Sequence, residues 1–468
     1  MQLVFESHRD ESAAHSFFRG LRFIHRIQVS LAMTVLNQEK RRALDLSNVI
    51  IIGAGASGMM AAILLGESGH KVTVLEQNER IGKKLYITGK GRCNFTNDCD
   101  RQTFLDNVVT NPRFLYSALD VMTPQDVIAA FESWGMKTKV ERGNRAFPAS
   151  DKSADVIDTL RDQMKKNKVR VMLHTRVTDI ITKDGAVSGV TAIETRPGKE
   201  ERLLTFEAEK VIVATGGLSY RSTGATGDGY EFALKTGHSV TKRSPSLVPI
   251  NCRGDICPRM QGLSLKNVSL IIKRGKKVVF SGFGEMLFTH FGVSGPLILS
   301  ASAKAGRMIS ENGGRDIDVW IDLKPAVSEE QLNERLIRLF DANKKKALKN
   351  VIAELYPSRM LPVIMELADL DPEQKIDQMK KSDREALIRI TKHFPLSFES
   401  LRGYNEAVVT QGGVSVKAVR PRSMESGKIH GLYFIGEVLD LDAFTGGFNL
   451  QIAWMTAACA ARAINEEE

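Results

Sequence analysis

Along much of this chain the apolar residues fall in short solid runs, and such runs mark strands covered on both faces, where neither side meets water. Val49–Ile52 is one; Lys71–Glu76 (KVTVLE), Lys210–Ala214 (KVIVA) and Gly431–Ile435 (GLYFI) repeat the form. Between and after them the apolar period lengthens to that of a helix at Met59–Gly66, 111–135, Ala154–Lys165 and Asn449–Ile464, with Pro112 at a first turn and Trp134 near an end. Val169–Leu173, Val177–Ile181, Gly189–Glu194 and Leu203–Phe206 predict further strands, and Asp184-Gly185 a hairpin turn among them. After about residue 242 the pattern changes. Segments 246–251, 263–273, 277–281 and 316–323 predict an antiparallel β region, and 328–392 is helical in pattern and broken by Pro357, Pro362 and Pro372. A strand-like return at Ala407–Val416 precedes the last buried run. The expected organisation is α/β. An extension, 1–46, is followed by a discontinuous domain from 47–242 and 401–468, into which a β domain (243–325) and a helical subdomain (326–400) are inserted.

The first buried run ends in Gly53-Ala54-Gly55-Ala56-Ser57-Gly58 and a helix follows. This is G-x-G-x-x-G in its strand–turn–helix frame: one glycine for the turn, one for close approach of a pyrophosphate, one for packing of helix on strand. Glu76 closes the second run about 20 residues after Gly55, where an acid can take a ribose hydroxyl pair. The motif predicts one dinucleotide. Gly282-Phe283-Gly284 is no second copy, because Leu287 holds the third glycine position. Two glycine-dense crossings, Thr215–Gly217 and Gly224–Gly229, flank the end of the Lys210–Ala214 run; a ligand close to the backbone explains both, and ordinary turns explain each singly. Gly436 follows the last buried run and Gly446-Gly447 precedes the final helix, and the late acid Glu437 fits an extended cofactor such as FAD better than NAD. A helix opening near Phe448–Gln451 can aim its N–H groups at a flavin carbonyl.

Composition narrows this little. The chain has 468 residues, 43% hydrophobic and 26% charged, so two or three globular domains are expected. The net charge of +10 suits an anionic ligand or surface, but no reading module accompanies it and nucleic acid is not the expected partner. Lys83, Lys84, Lys90 and Arg92 lie in the glycine-rich stretch 77–97, poor helix material that can either wrap an anionic cofactor or stand as a solvated loop. Five cysteines, 93, 99, 252, 257 and 459, form no C-x-x-C unit and point to a reducing cytoplasm. Residues 1–46 show no secretory leader, and the mildly amphipathic Phe17–Met33 is read as a peripheral extension. No apolar run is long enough to span a membrane. No metal site is expected: Thr226–Gly229 resembles only a fragment of a calcium loop. On the substrate side, His290 in the irregular stretch Thr289–Pro296 is a candidate proton donor or a structural histidine, and Arg221 is a candidate anion holder, surface residue or cofactor contact.

Taken together, IIGAGASG (51–58), GKKLYITGKGRCNFTN (82–97), ATGG (214–217), TGDGY (226–230), THFGVSGP (289–296), QGGVSV (411–416) and GLYFIGEVLD…TGGFNLQIAW (431–454) resemble the bacterial YhiN-type, BaiN-like NAD(P)/FAD-dependent oxidoreductases, also described as aminoacetone-oxidase-like FAD proteins. The resemblance implies a Rossmann-like FAD domain of the fumarate reductase and succinate dehydrogenase class, with a β-barrel-like domain and helical lid inserted between 243 and 400. It implies FAD contacts at Gly53, Gly55, Ala56, Ser57, Gly58, Glu76, Gln77, Lys84, Arg92, Cys93, Asn94, Val177, Thr215, Gly216, Asp228, Gly436, Glu437, Asn449, Leu450 and Gln451. One departure is Asp442-Ala443, where the family has Asp-Gly. The leading expectation is therefore an FAD-dependent oxidoreductase that moves hydride or electrons between flavin and a small, anionic metabolite, with NAD(P)H as transient reductant. The alternatives are a flavin-dependent amine oxidase using O2 and an FAD-holding RNA-associated or structural protein. Substrate and oligomeric state stay open.

Overall fold

The computed structural model describes residues 46–466, so the reading of residues 1–46 as an extension lies almost wholly outside the described residues. The chain forms two compact units. One takes the described residues up to Arg243 and those from Val409 onward; the other is Ser244–Val408.

The first unit is built on a parallel sheet in the order Leu432–Phe434, Lys210–Val213, Asn48–Ile52, Lys71–Leu75, Arg170–Met172. Its central strands are buried on both faces, which is why they appear as solid apolar runs. Strand order reverses beside Asn48–Ile52, so the ends of that strand and of Lys210–Val213 open the crevice in which doubly wound sheets hold ligands. Helix Ala56–Glu67 leaves the first strand, and the closing helix Phe448–Glu466, buried along most of its length, packs against it. The 177–206 segments form a three-stranded antiparallel sheet, Thr175–Lys183, Ala186–Glu194 and Arg202–Glu207, turning at Asp184 and Gly185 as expected.

Two local expectations fail. The single helix over 111–135 is three pieces, Pro112–Leu115, Tyr116–Val121 and Pro124–Ser133. Thr123 breaks it: its hydroxyl accepts from the Asp126 N–H, the Asp126 carboxylate accepts from the Thr123 N–H, and Pro124 takes the first helical position, so a new helix starts there. The stretch 77–97 contains a short helix, Lys83–Ile87, opened by Gly82 at φ 67°. Near it, strand Arg145–Pro148 pairs with Thr96–Asn97 and Thr138–Glu141.

The second unit is a seven-stranded antiparallel sheet ordered Phe394–Leu396, Asp318–Asp322, Ser264–Arg274, Lys277–Thr289, Gly292–Ser294, Ile250–Cys252, Phe398–Leu401. Its two outermost strands are separated in the chain by Ser397 alone, so the sheet curls until its edges meet, as a barrel does. Helices Glu329–Asp341, Leu361–Leu367 and Lys381–Lys392 share one apolar cluster with the sheet, including Leu270, Ile272, Phe288, Leu336, Leu387 and Phe394. The sheet and the helical stretch, which the sequence separates at 325, thus have a common core. Thr289–Pro296 is not irregular: Thr289 pairs with Gly292, making His290-Phe291 a two-residue hairpin turn.

Candidate active site

Packing alone dictates two of the three motif glycines. Gly53 takes φ 103°, and a Cβ there would stand 2.7 Å from the Ala214 carbonyl oxygen. A Cβ on Gly58 would stand 2.0 Å from the Gly53 oxygen. Gly55 differs, because a Cβ there meets nothing within 4 Å. It caps helix Ala56–Glu67 with no side-chain hydrogen bond, so the first turn's N–H groups face open space at the head of the helix dipole. Ser57 lies beside the Gly436 turn: a Cβ on Gly436, at φ 71°, would fall 2.6 Å from its Oγ.

Glu76 is buried and already serves the turn. Its Oε2 accepts from the Ala54 N–H at 2.8 Å, and its Oε1 from the N–H and side-chain amide of Asn78 at 2.9 and 2.7 Å. A carboxylate has lone pairs for about four acceptor contacts, so it retains capacity for a ribose hydroxyl. Gln77 donates to the Gly224 carbonyl at 2.7 Å and Asn78 to that of Thr223 at 3.0 Å, which pins the Arg221–Thr223 turn over the end of the second strand. Arg221 sits exposed on that turn.

Lys84 and Glu437, far apart in sequence, form an ion pair at 2.7 Å. Lys84 also donates to the Ser219 hydroxyl at 2.8 Å, and Glu437 Oε1 accepts from that hydroxyl and from the Thr410 N–H at 3.1 and 2.9 Å. The Thr410 hydroxyl accepts from the N–H of Leu218 at 2.8 Å. Thr410 and Ser219 have no sequence signature; they matter because they lock the Thr215–Gly217 crossing to the Gly436 crossing. Gly216 sits at the join with φ 73°, and its Cβ position lies 3.8 Å from Glu437 Oε2.

Arg92 is held apart from this network. Its Nε donates to Asp151 at 2.8 Å and its Nη2 to Glu141 at 2.5 Å, over the Phe147 ring at 4.2 Å, while Lys139 reaches Asp151 at 2.6 Å. Lys139 and Arg92 hold the Asp151 carboxyl below its ordinary range, Arg92 does the same to Glu141, and the two acids raise the guanidinium. Cys93 is fully buried at φ 56°, and burial drives its thiol upward, so it is no thiolate.

At the closing helix the side chains are structural. Asn449 accepts from the Ala443 N–H at 3.0 Å and donates to the Ala443 carbonyl at 2.8 Å, so Ala443 needs no left-handed backbone where the family has glycine. Gln451 accepts from the Thr96 hydroxyl at 2.7 Å and donates to the Met122 carbonyl at 3.0 Å. The first-turn N–H groups beside Leu450 remain what this end can offer a ligand. Asp228 opens helix Asp228–Lys235, and Val177 is buried on its strand.

Among the buried polar atoms of this unit, Asn94 Oδ1 and Thr215 Oγ1 lie near the glycine crossings without a hydrogen-bond partner. Orphaned buried groups are costly and call for a hydrogen-bonding partner. Together with the open face of Gly55 and the uncapped helix, they fit a long polar cofactor that carries a pyrophosphate and several hydrogen-bonding groups. His290 lies in the other unit, exposed on its hairpin turn with its ring edge-on to Phe291 at 5.1 Å. Beside it, Thr289 Oγ1 is buried without a partner. Among the described residues no cluster could hold a metal ion, and no helix is long and apolar enough to cross a membrane.

Comparison with known proteins covers nearly the whole chain. The family model described as HI0933-like protein Rossmann domain matches residues 47–463. A ribosomal RNA dihydrouridine synthase of Escherichia coli is 33% identical over 417 residues, 88% of this chain and 97% of that protein. A 3-dehydro-bile acid delta(4,6)-reductase of Clostridium scindens is 30% identical over 424 residues, 90% of this chain and 100% of that protein. Among solved structures, a flavocytochrome c3 fumarate reductase in its open conformation aligns with a TM-score of 0.45 at 16% identity, covering 90% of this chain and 78% of that one.

Proposed function

The chain belongs to the HI0933-like family, and from that premise we propose that this FAD-dependent oxidoreductase reduces the 5,6 double bond of uracil in ribosomal RNA. The observation that carries the reading is the 33% identity to a ribosomal RNA dihydrouridine synthase, spread over 97% of that protein. The net charge of +10 supports it, since a polyanion binds by neutralising phosphates. This reverses the expectation drawn from composition alone, which set nucleic acid aside for want of a reading module.

When bound, FAD supplies the hydride chemistry. The chain's part is to hold it and to manage charge and proton. The open turn at Gly55 and the first N–H groups of helix Ala56–Glu67 would take the pyrophosphate, Glu76 the ribose, and Asn94 and Thr215 polar groups of the cofactor. A uracil ring and a 3-dehydro bile acid with delta(4,6) unsaturation share one reactive unit, a carbon–carbon double bond conjugated to a carbonyl. Adding two hydrogens there requires a group to meet charge on the carbonyl oxygen and an acid to deliver a proton to the neighbouring carbon. Arg221 is the proposed charge-holding group and NAD(P)H the proposed source of reducing equivalents; His290, expected as the acid, belongs to the other unit.

A second reading, reduction of a small lipophilic enone, is favoured by the identity over the full length of the bile acid reductase. One experiment separates the two. Purified flavin-loaded protein is incubated anaerobically with NADH or NADPH and either protein-free ribosomal RNA or a steroid dienone. Digested RNA is analysed by nucleoside mass spectrometry. Dihydrouridine in the RNA arm supports the first reading; reduced dienone with unmodified RNA replaces it with the second. Protein that purifies colourless and takes up no added FAD defeats both.

A further inference from the structure

We infer that the outer face of the curled sheet in Ser244–Val408, with the basic turn at 273–277, is an RNA-docking platform, the cations meeting phosphates and Phe283 stacking on an unpaired base. The inference rests on the ribosomal RNA reading above and assigns that substrate a surface outside the cofactor site.

Register sets the face. Leu270 and Ile272 point into the core with no exposure, so Ser269, Ile271 and Lys273 point outward. Residues directly opposite on neighbouring strands share a face. Ser269 pairs with Phe283, and Ile271 with Trp320, which places both aromatic rings on the outer side. Phe283 is 63% exposed. The Lys273 ammonium lies 5.1 Å from the centre of the Trp320 ring, and that ring lies 5.5 Å from His393. An exposed phenylalanine alone is ordinary. This one lies on the same strand that begins at the chain's densest local run of cations, Lys273, Arg274, Lys276 and Lys277 about Gly275 at φ 56°.

Arg274 pairs with Asp316 at 2.6 Å and Lys392 with Asp322 at 2.7 Å, Asp318 stands opposite Lys273, and Glu285 shares the outward face with Phe283, so Lys273 and Arg274 are offset by acids. Lys276 and Lys277 stand exposed at the tip beyond these pairs. Lysine is depleted at protein–protein interfaces, whereas an open aromatic and cations spaced along one strand suit single-stranded RNA, which spans several nucleotides with phosphate on cation and base on ring. Charge complementarity thus selects RNA over an apolar protein partner.

The test uses the flavin-loaded full chain, a labelled single-stranded oligouridylate and protein-free ribosomal RNA as probes, and three variants: K276E/K277E, Phe283→Ala, and K344E/K345E as a charge-matched control on an exposed helical segment. K276E/K277E should weaken binding at least tenfold at low salt and flatten the log affinity–log salt slope by about 1.4, two cations at ~0.7 each for a single strand. Phe283→Ala should weaken binding about fivefold or more with the slope unchanged. K344E/K345E should bind within about twofold of wild type once the lost net charge is allowed for. Equal loss in the control, or wild-type binding by Phe283→Ala, overturns the platform. So does loss of binding to phosphatidylglycerol vesicles with RNA binding intact. Dihydrouridine formation measured in parallel separates the two claims. Modification unaffected by the sheet variants removes the platform and keeps the reaction; RNA binding that depends on the sheet without any dihydrouridine keeps the platform and removes the reaction.

Discussion

At the turn after Ile52 the chain makes room by leaving side chains out; on the sheet of Ser244–Val408 it makes a surface by leaving one side chain uncovered. Around Gly55 the neighbouring glycines are jammed, with Cβ positions 2.0 and 2.7 Å from backbone oxygens, while Gly55 itself faces empty space. Around Phe283 nothing in the backbone is strained, and the ring is open because its strand partner there is the small Ser269. The first kind of site is fixed by which residue is present. The second is fixed by which residue stands opposite, and so by register.

The contrast can be broken in order of expected effect. Gly58→Ala should cost about 4 kcal/mol or more, because the clash is backbone against backbone and neither side can give way; soluble yield and thermal unfolding measure it, and a wild-type Tm would show that the turn can shift. Lys84→Met leaves Glu437 half-buried without its cation and should cost about 2 kcal/mol, part of it recovered in Lys84→Met/Glu437→Gln. Equal stability of the single and double variants would mean that the two crossings are not tied through this pair. Gly55→Ala should cost only about 1 kcal/mol as a helix-cap change, yet the purified protein should lose its bound flavin absorbance. Retained flavin would mean that the open space there serves something else.

A smaller effect is set by His238. It is buried against the Phe434 ring, its nitrogens at 3.0 and 2.7 Å from the hydroxyls of Thr236 and Ser426, and burial together with nearby Lys428 lowers its pKa. The folded state therefore binds fewer protons than the unfolded one. Stability is full above the unfolded value near 6.5 and falls as pH drops through it toward the lower folded value. Urea midpoints should decline below about pH 6.5 in wild type and more weakly in His238→Gln. Smallest of all, Phe283→Ala should leave stability within about 0.5 kcal/mol; a larger loss would make the ring part of the core rather than a surface.

This difference also explains what could be read in advance. Strands buried on both faces, such as Asn48–Ile52 and Leu432–Phe434, announce themselves as apolar runs, and the cramped turn announces itself as glycine. The partition of cations did not show. Lys84 and Arg92 look alike in the stretch 77–97, but one meets Glu437 and the other Glu141 and Asp151, acids that only the fold brings near. The break at Thr123 was legible: Thr-Pro-x-Asp is a helix start, and the apolar period running through it hid the signal. Thr410 had no local signal, because its role is defined by the N–H groups of Leu218 and Ser219 that it receives.

The edge strand Leu432–Phe434 and helix Phe448–Glu466 leave the ribosome long after Asn48–Ile52, yet the strand completes the edge of the sheet begun there and the helix packs on the unit it belongs to. During synthesis, at ~5–20 residues per second, Lys210–Val213 waits with one side of its backbone unpaired, while Ser244–Val408, being continuous, can close before it. The nascent protein therefore carries a bare apolar strand edge until Leu432–Phe434 emerges. Slow codons or truncation after Val408 would expose the polypeptide to aggregation at that edge, and chaperone demand should concentrate in the same interval.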